Sequence, residues 1–172
     1  MKKKLTLIIC VVILGLNQSC WWVNDDGGEV VGPAPNSIYE PVIMARSQFE
    51  TTTTIESPRA IENSGKIYVK DNFLFVNEVN QGFHVFNNED PANPQNIAFL
   101  KVLGSSDIAI KDDMLYINNA TDLLAISPNL SQNSMEITKR VENVFPQLWS
   151  PDGFEFYGLQ PGEIIVDWTL IE

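Results

Sequence analysis

Ile67-Tyr68-Val69-Lys70-Asp71-Asn72-Phe73-Leu74-Phe75-Val76-Asn77 returns further along the chain as Ile108-Ala109-Ile110-Lys111-Asp112-Asp113-Met114-Leu115-Tyr116-Ile117-Asn118. The offset is 41 (108 minus 67). It drops to 40 after a one-residue deletion opposite Val79, so that Gly82-Phe83-His84-Val85-Phe86 falls on Asp122-Leu123-Leu124-Ala125-Ile126 and Ile97 on Ile137. A period near 40 residues marks propeller and solenoid arrays. The identities at 67/108, 70/111, 71/112, 74/115, 77/118, 93/133 and 97/137 are few, but they fall on matching strand and turn positions.

Each unit reads as four short strands. The first has residues 66–70 and 73–77 around a tight turn at Asp71-Asn72, then 82–86, then 96–102 after a proline-bounded loop; the second has 107–111, 114–118, 122–126 and 135–141. In Phe73-Leu74-Phe75-Val76 and Met114-Leu115-Tyr116-Ile117 both alternating faces are apolar. Such strands should be covered on both sides, as in blades stacked face to face. The expected fold is therefore all-β, with antiparallel sheets forming two propeller-blade-like repeats, about 66–102 and 107–141, an incomplete propeller.

Lys2, Lys3 and Lys4 precede the apolar run 5–16, and Asn17-Gln18-Ser19 leads into Cys20. This is the layout of a secretory signal peptide, and the run is shorter than the roughly 20 residues a spanning helix needs. Ser19-Cys20 resembles the cleavage and lipidation site of a bacterial lipoprotein, with Leu16 standing four residues before the cysteine where three is usual. The expectation is a signal peptide over 1–19, lipidation at Cys20, and an outer-membrane anchor in the cell envelope, facing either the surface or the periplasm. The alternative is a secreted protein with an incidental cysteine. Residues 20–37, rich in Gly, Pro, Asp and Asn, read as a flexible tether. Asp25-Asp26 with Glu29 resembles the acidic signal that sends some Gram-negative lipoproteins to the surface, and a plain solvated linker has the same residues.

The only cysteines are Cys10, which leaves with the signal, and Cys20, so the mature chain keeps no thiol for a disulfide, a metal or catalysis. Removing residues 1–19 takes three lysines and no acid, leaving 8 basic against 22 acidic residues, a net charge of −14. That balance argues against nucleic acid and against direct adsorption to anionic lipid. The membrane contact expected is the anchor alone.

The domain proper spans 38–172. Before the repeats, residues 47–50 suggest one helical turn, the β-branched run 51–55 suggests a strand, and the whole of 38–65 is expected to pack on the first blade. After them, 144–172 reads as a capping segment ending in a strand at 163–168, with a turn at Ser150-Pro151-Asp152-Gly153. By strand geometry each blade face projects roughly 300 Å². Left uncovered, the two end faces would favour self-association.

Gly65-Lys66-Ile67-Tyr68-Val69-Lys70, the loop Asp90-Pro91-Ala92-Asn93-Pro94 and Asp107-Ile108-Ala109-Ile110-Lys111 resemble the LVIVD-repeat proteins, predicted β-propeller proteins of the cell surface, many of them lipoproteins. The likeness covers about residues 41–146 and matches the start of longer members. The second unit departs from it, having Leu130-Ser131-Gln132-Asn133-Ser134 in place of the proline-bounded loop. The resemblance implies a propeller-like surface lipoprotein whose longer members carry further repeats.

Chemistry is sparse. His84, the only histidine, alternates with Phe83 and Val85 on a strand and lacks any Gly-x-Ser-x-Gly or other nucleophile setting. It reads as packed or surface, not catalytic. Asn87-Asn88-Glu89-Asp90 gathers oxygens suited to calcium, but the spacing matches no EF-hand and a β-turn explains the same residues. No cofactor, metal or catalytic set is expected, and no enzyme. Three function classes stay open: a lipid-anchored, non-catalytic binding or interaction module whose ligand, a protein or a glycan, the sequence does not name; a glycan-binding surface lipoprotein using Trp149, Phe154, Phe156 and Tyr157 as stacking platforms; and a shortened copy of a longer propeller lipoprotein with no function of its own.

Overall fold

In the computed structural model, which describes residues 36–132 and 134–172, Asp71 and Asp112 turn their hairpins with left-handed backbones at φ 51° and 53°. The next turns do the same at Asn80 and Ala120, φ 58° and 48°. The first pair stands 41 residues apart and the second 40, so the slip seen in sequence lies between them. Asp and Asn tolerate this conformation better than other side chains. At Ala120 the methyl group abuts Gly104, where a Cβ would meet it at 2.8 Å, so that a larger residue has no room there. The stretch read from sequence as a signal peptide, Cys20 and the stretch read as a tether, up to residue 35, lie outside the described residues.

The element order is β1 (Tyr39–Ala45), α1 (Arg46–Phe49), β2 (Thr54–Glu56), β3 (Ser64–Lys70), β4 (Phe73–Glu78), β5 (Gly82–Asn87), β6 (Gln95–Lys101), β7 (Ile108–Lys111), β8 (Met114–Asn119), β9 (Asp122–Asn129), β10 (Ser134–Val141) and β11 (Glu163–Leu170), with a 3₁₀ turn over Leu130–Gln132. The fold is all-β. Strands β3 to β6 make one antiparallel meander and β7 to β10 a second, and β2 adds a fifth strand to the first sheet beside β6. The two meanders are the two blade-like units, and their sheets form no closed ring.

One apolar core lies between the two sheets. The first contributes Phe75, Phe83, Val85, Ala98 and Leu100, and the second Ile108, Leu115, Ile117, Leu124 and Ile126. These are not equivalent faces. In the repeat alignment Leu115, Ile117, Leu124 and Ile126 correspond to Leu74, Val76, His84 and Phe86, which lie on the far side of the first sheet by strand alternation. The units therefore stack head to tail, as blades of a propeller do. Burying each large apolar side chain in such a core contributes about 1.5–3 kcal/mol.

The region before the repeats differs from expectation in two places. Thr51 and Thr52 do not extend into a strand, because their hydroxyls donate to the carbonyls of Gln48 and Phe49 (both 2.7 Å) and close α1 instead. Only Thr54–Glu56 is strand. Nor does all of 38–65 pack on the first sheet: β1 pairs antiparallel with β11, from Tyr39 opposite Leu170 to Ala45 opposite Glu163, as a separate two-stranded ribbon. With Phe49 of α1, Ile164 and Val166 of the ribbon bury against Ala120, and Val42, Met44, Leu103 and Leu148 pack around them. The ribbon thus closes the end of the sandwich where the β4–β5 and β8–β9 turns lie, touching the first unit through Asn80 and Gln81, whose amides donate to Asp167 at 2.8 and 3.0 Å.

Asp122 fixes that closure. Its carboxylate is fully buried and accepts from Arg46 (3.0 and 3.3 Å), from Arg140 (2.8 Å) and from the Asn143 amide (3.2 Å). Burial alone raises the carboxyl pKa, but the two guanidinium bonds and the amide outweigh it and hold it below the ordinary aspartate value. Removing one partner of a buried ion pair strands the other charges. Asp122→Ala should therefore cost about 3–5 kcal/mol in urea unfolding; a loss under about 1 kcal/mol, the size of a surface pair, would remove Asp122 from this role. Because the folded pKa is depressed, the stabilisation is present above the unfolded value, about 3.9, and is lost as pH falls through the folded value. A melting curve series from pH 7 to pH 2 should stay level to about pH 5 and then decline, and the decline should be shallower in Asp122→Asn.

Candidate binding groove

Alternation along β7, β8 and β9 places Ala109, Tyr116 and Leu123 on the outer face of the second sheet. Tyr116 and Leu123 correspond in the repeat to Phe75 and Phe83, which are core residues of the first sheet. Among the described residues no sheet packs on this face. Residues 145–149 run beside this face instead, pinned where the Val144 and Phe145 amides donate to the Thr121 carbonyl (2.8 and 2.9 Å) and where Gln147 donates to the Phe156 carbonyl (2.8 Å). Between the two lies an apolar groove of about 940 Å³ lined by Ala109, Tyr116, Leu123, Phe145 and Trp149 among others. Trp149 is 59% exposed and Phe145 39%.

Polar groups at the rim are largely occupied within the chain. Asn118 accepts the amides of Ser106 and Asp107 (3.0 and 2.9 Å) and donates to the Gly104 carbonyl (3.0 Å). Asp107 receives Lys66 at 2.6 Å and the hydroxyl of Tyr68. Those bonds from Lys66 and Tyr68 hold its carboxyl below the usual aspartate range. A groove whose side-chain amides and carboxylate are already engaged offers contact area and shape more than directional hydrogen bonds.

Of the four aromatics singled out from sequence, only Trp149 lines the groove. Phe154, Phe156 and Tyr157 sit in the following loop, where the Phe154 amide donates to Ser150 Oγ (2.7 Å) and the Phe156 ring packs over Gly158. Tyr157 is 86% exposed and donates to Glu155 (2.9 Å). The loop is anchored by Asp152, which accepts Ser150 Oγ, Ser37 Oγ and the Ile38 amide. Tyr116, Leu123 and Phe145 were not singled out from sequence, although the two-sided apolar pattern of 114–117 pointed to a partner on the outer face.

His84 lies elsewhere. It is fully buried on the outer side of the first sheet, its Nε2 2.8 Å from Glu78 Oε2 and its ring edge-on to Phe99 at 4.9 Å. Residues 57–63 cross this side from β2 to β3: Arg59 lies 3.7 Å above the Phe99 ring, and the amides of Glu62 (3.1 Å) and Asn63 donate to Glu78. Burial raises the Glu78 carboxyl, and the bonds from His84 and the two amides bring it below its ordinary value. The pair is thus buried beneath the strap. Asn87 and Asp90 spend side-chain oxygens on the amides of Glu89 (2.9 Å) and Ala92 (3.1 Å), the turn chemistry of Asx residues. A second cavity of about 430 Å³ opens at the other end of the sandwich beside Asp71, Asp112 and Asp113. Among the described residues no group of three or more His, Cys, Asp or Glu is placed to hold a metal ion.

No family model, curated protein or solved structure matches the chain. Among the described residues no helix is long and apolar enough to cross a membrane.

Trp149→Ala removes a ring that is more exposed than buried, so the melting temperature should move little, within about 0.5 kcal/mol of stability. A loss of about 2 kcal/mol or more in chemical denaturation would instead mark Trp149 as a packing residue and close the groove as a candidate.

Proposed function

We propose that the mature protein is a lipid-anchored, non-catalytic binding module of the cell envelope, held at the outer membrane through Cys20 and engaging a protein partner along the groove over Ala109, Tyr116 and Leu123. The observation that carries this reading is an apolar sheet face on which no sheet packs among the described residues, bordered by the exposed ring of Trp149. A face of roughly 300 Å² stands at the lower limit of the apolar patches that mark interaction sites. The anchor rests on the lysines before the apolar run 5–16 and on Ser19-Cys20 after it, and the resemblance to LVIVD-repeat lipoproteins on residues 65–70, 90–94 and 107–111. Absence of catalysis is supported by the buried His84 and the lack of a thiol after Cys20. The glycan-binding alternative draws on Trp149 and Tyr157 as exposed rings, but Tyr157 does not line the groove, and the engaged polar rim favours a protein.

Two measurements decide the reading. Growth with a radiolabelled fatty acid should label the wild type and not Cys20→Ala; equal labelling of the two removes the anchor. A photoreactive amino acid at Leu123, in the full chain in intact cells, should give protein adducts that the same probe at exposed Glu155 does not. No groove-specific adduct, together with glycan binding abolished by Trp149→Ala, would replace the protein partner with a sugar.

A further inference from the structure

The groove residues and the opposite outer face of the same molecule have a relation that follows from the head-to-tail stack. Inside the chain, the face of the first sheet bearing Tyr68, Phe75, Phe83 and Val85 meets the face of the second bearing Ile108, Leu115, Ile117 and Leu124. By the repeat, the open face of the second sheet is the counterpart of the former: Ala109 stands for Tyr68, Tyr116 for Phe75 and Leu123 for Phe83. The open face of the first sheet is the counterpart of the latter: Ile67 stands for Ile108, Val69 for Ile110 and Leu74 for Leu115. Ile108 is buried, whereas Ile67 and Val69 are 64% and 66% exposed. The strap at 57–63 bonds Glu78 at the end of β4 and lies over Phe99 of β6, Val76, His84 and Phe99 of that face are buried, and only Ile67 and Val69 of β3 stay open.

We propose that the occupant of the groove is a second copy of this chain, which docks Ile67 and Val69 of its β3 against Ala109 and Tyr116 in the same head-to-tail sense that joins the two units. This rests on the groove being a binding surface and adds who binds it. Charge agrees with the register. Within the chain Lys66 of β3 bonds Asp107 at the start of β7. Because Lys66 and Asp107 are themselves repeat counterparts, the next junction again sets Asp107 opposite a lysine, Lys66 of the incoming copy.

A head-to-tail contact uses two different surfaces, so it propagates until it closes on itself. Each full face projects about 300 Å², and the strap removes part of one of them, so a junction buries less than roughly 600 Å² in total, below the roughly 1,200 Å² of a stable pair. Ring closure gives every copy two junctions. Two to four copies of two blades each make the four to eight blades of propellers. Confinement by a lipid anchor raises the effective concentration for such weak contacts.

The test is a cysteine pair in the full chain in its native membrane, oxidised at physiological salt. Internally Tyr68 sits beside Asp107 and Ile108. Its counterpart Ala109 should then sit beside Ile67 of the next copy. Ile67→Cys with Ala109→Cys should give a ladder of covalent oligomers on a non-reducing gel, several-fold above either single variant, and Asp107→Lys should suppress it. The two positions lie on opposite outer faces of one molecule, so an internal disulfide cannot mimic the result, and both are exposed, so an unchanged melting temperature verifies folding. A folded double variant that stays monomeric overturns the proposal, as does equal cross-linking by Ala109→Cys alone, which would mean a two-fold contact. If the Leu123 probe then captures only a different protein, the groove still binds but not to itself; if it captures nothing, the binding reading fails as well.

Discussion

A single carboxylate, Asp122, ties the short helix before the repeats to the last strand of the second unit and to the backbone just after it. It is the first residue of β9, and it draws Arg46 from the segment before the repeats and Arg140 from the last strand of the second unit onto one buried point. Arg140 also reaches Asn119 at 2.9 Å and lies 5.3 Å from the centre of the buried Phe49 ring. The fully buried carboxylate is tolerable only because both guanidiniums and the Asn143 amide engage it. The geometry therefore specifies one docking angle for the ribbon, where an apolar contact alone would permit several.

Much of the repeat architecture was legible because it is local. Hairpins with Asp or Asn at the turn, apolar alternation on both faces, and the slip from 41 to 40 residues all depend on contacts within a few positions, and the left-handed backbones at Asp71/Asp112 and Asn80/Ala120 follow the same register. The ribbon was not legible. Tyr39 and Leu170 pair across nearly the whole domain, and nothing in Tyr-Glu-Pro-Val-Ile-Met-Ala names a partner. The threonine run misled for a chemical reason: β-branched residues favour strands, but a hydroxyl just after a helical turn finds free carbonyls first. At the groove, sequence pointed to Trp149 through its aromatic character but missed Tyr116 and Leu123, which look like ordinary core residues although no sheet among the described residues covers them.

The two units also show how one repeat position takes opposite roles. Leu124 sits in the common core while its counterpart His84 faces away from it, and Glu78 and Asn119 both hold the backbone just ahead of their own unit, Glu78 through the amides of Glu62 and Asn63 and Asn119 through the Leu103 carbonyl at 2.7 Å. A polar pair on an otherwise apolar face makes the strap at 57–63 the specific cover for that half of the first sheet.

The meeting of both ends of the domain in one ribbon has a mechanical side. Ile38 enters β1 with its amide on Asp152 and its carbonyl accepting from Ile171 at 2.8 Å. A pull arriving along the chain from residues before 36 meets these bonds before it meets any blade. Peeling β1 would unmake its pairing with β11 and reach Arg46 only afterwards, so the repeats are shielded from tension by a sacrificial outer pair of strands.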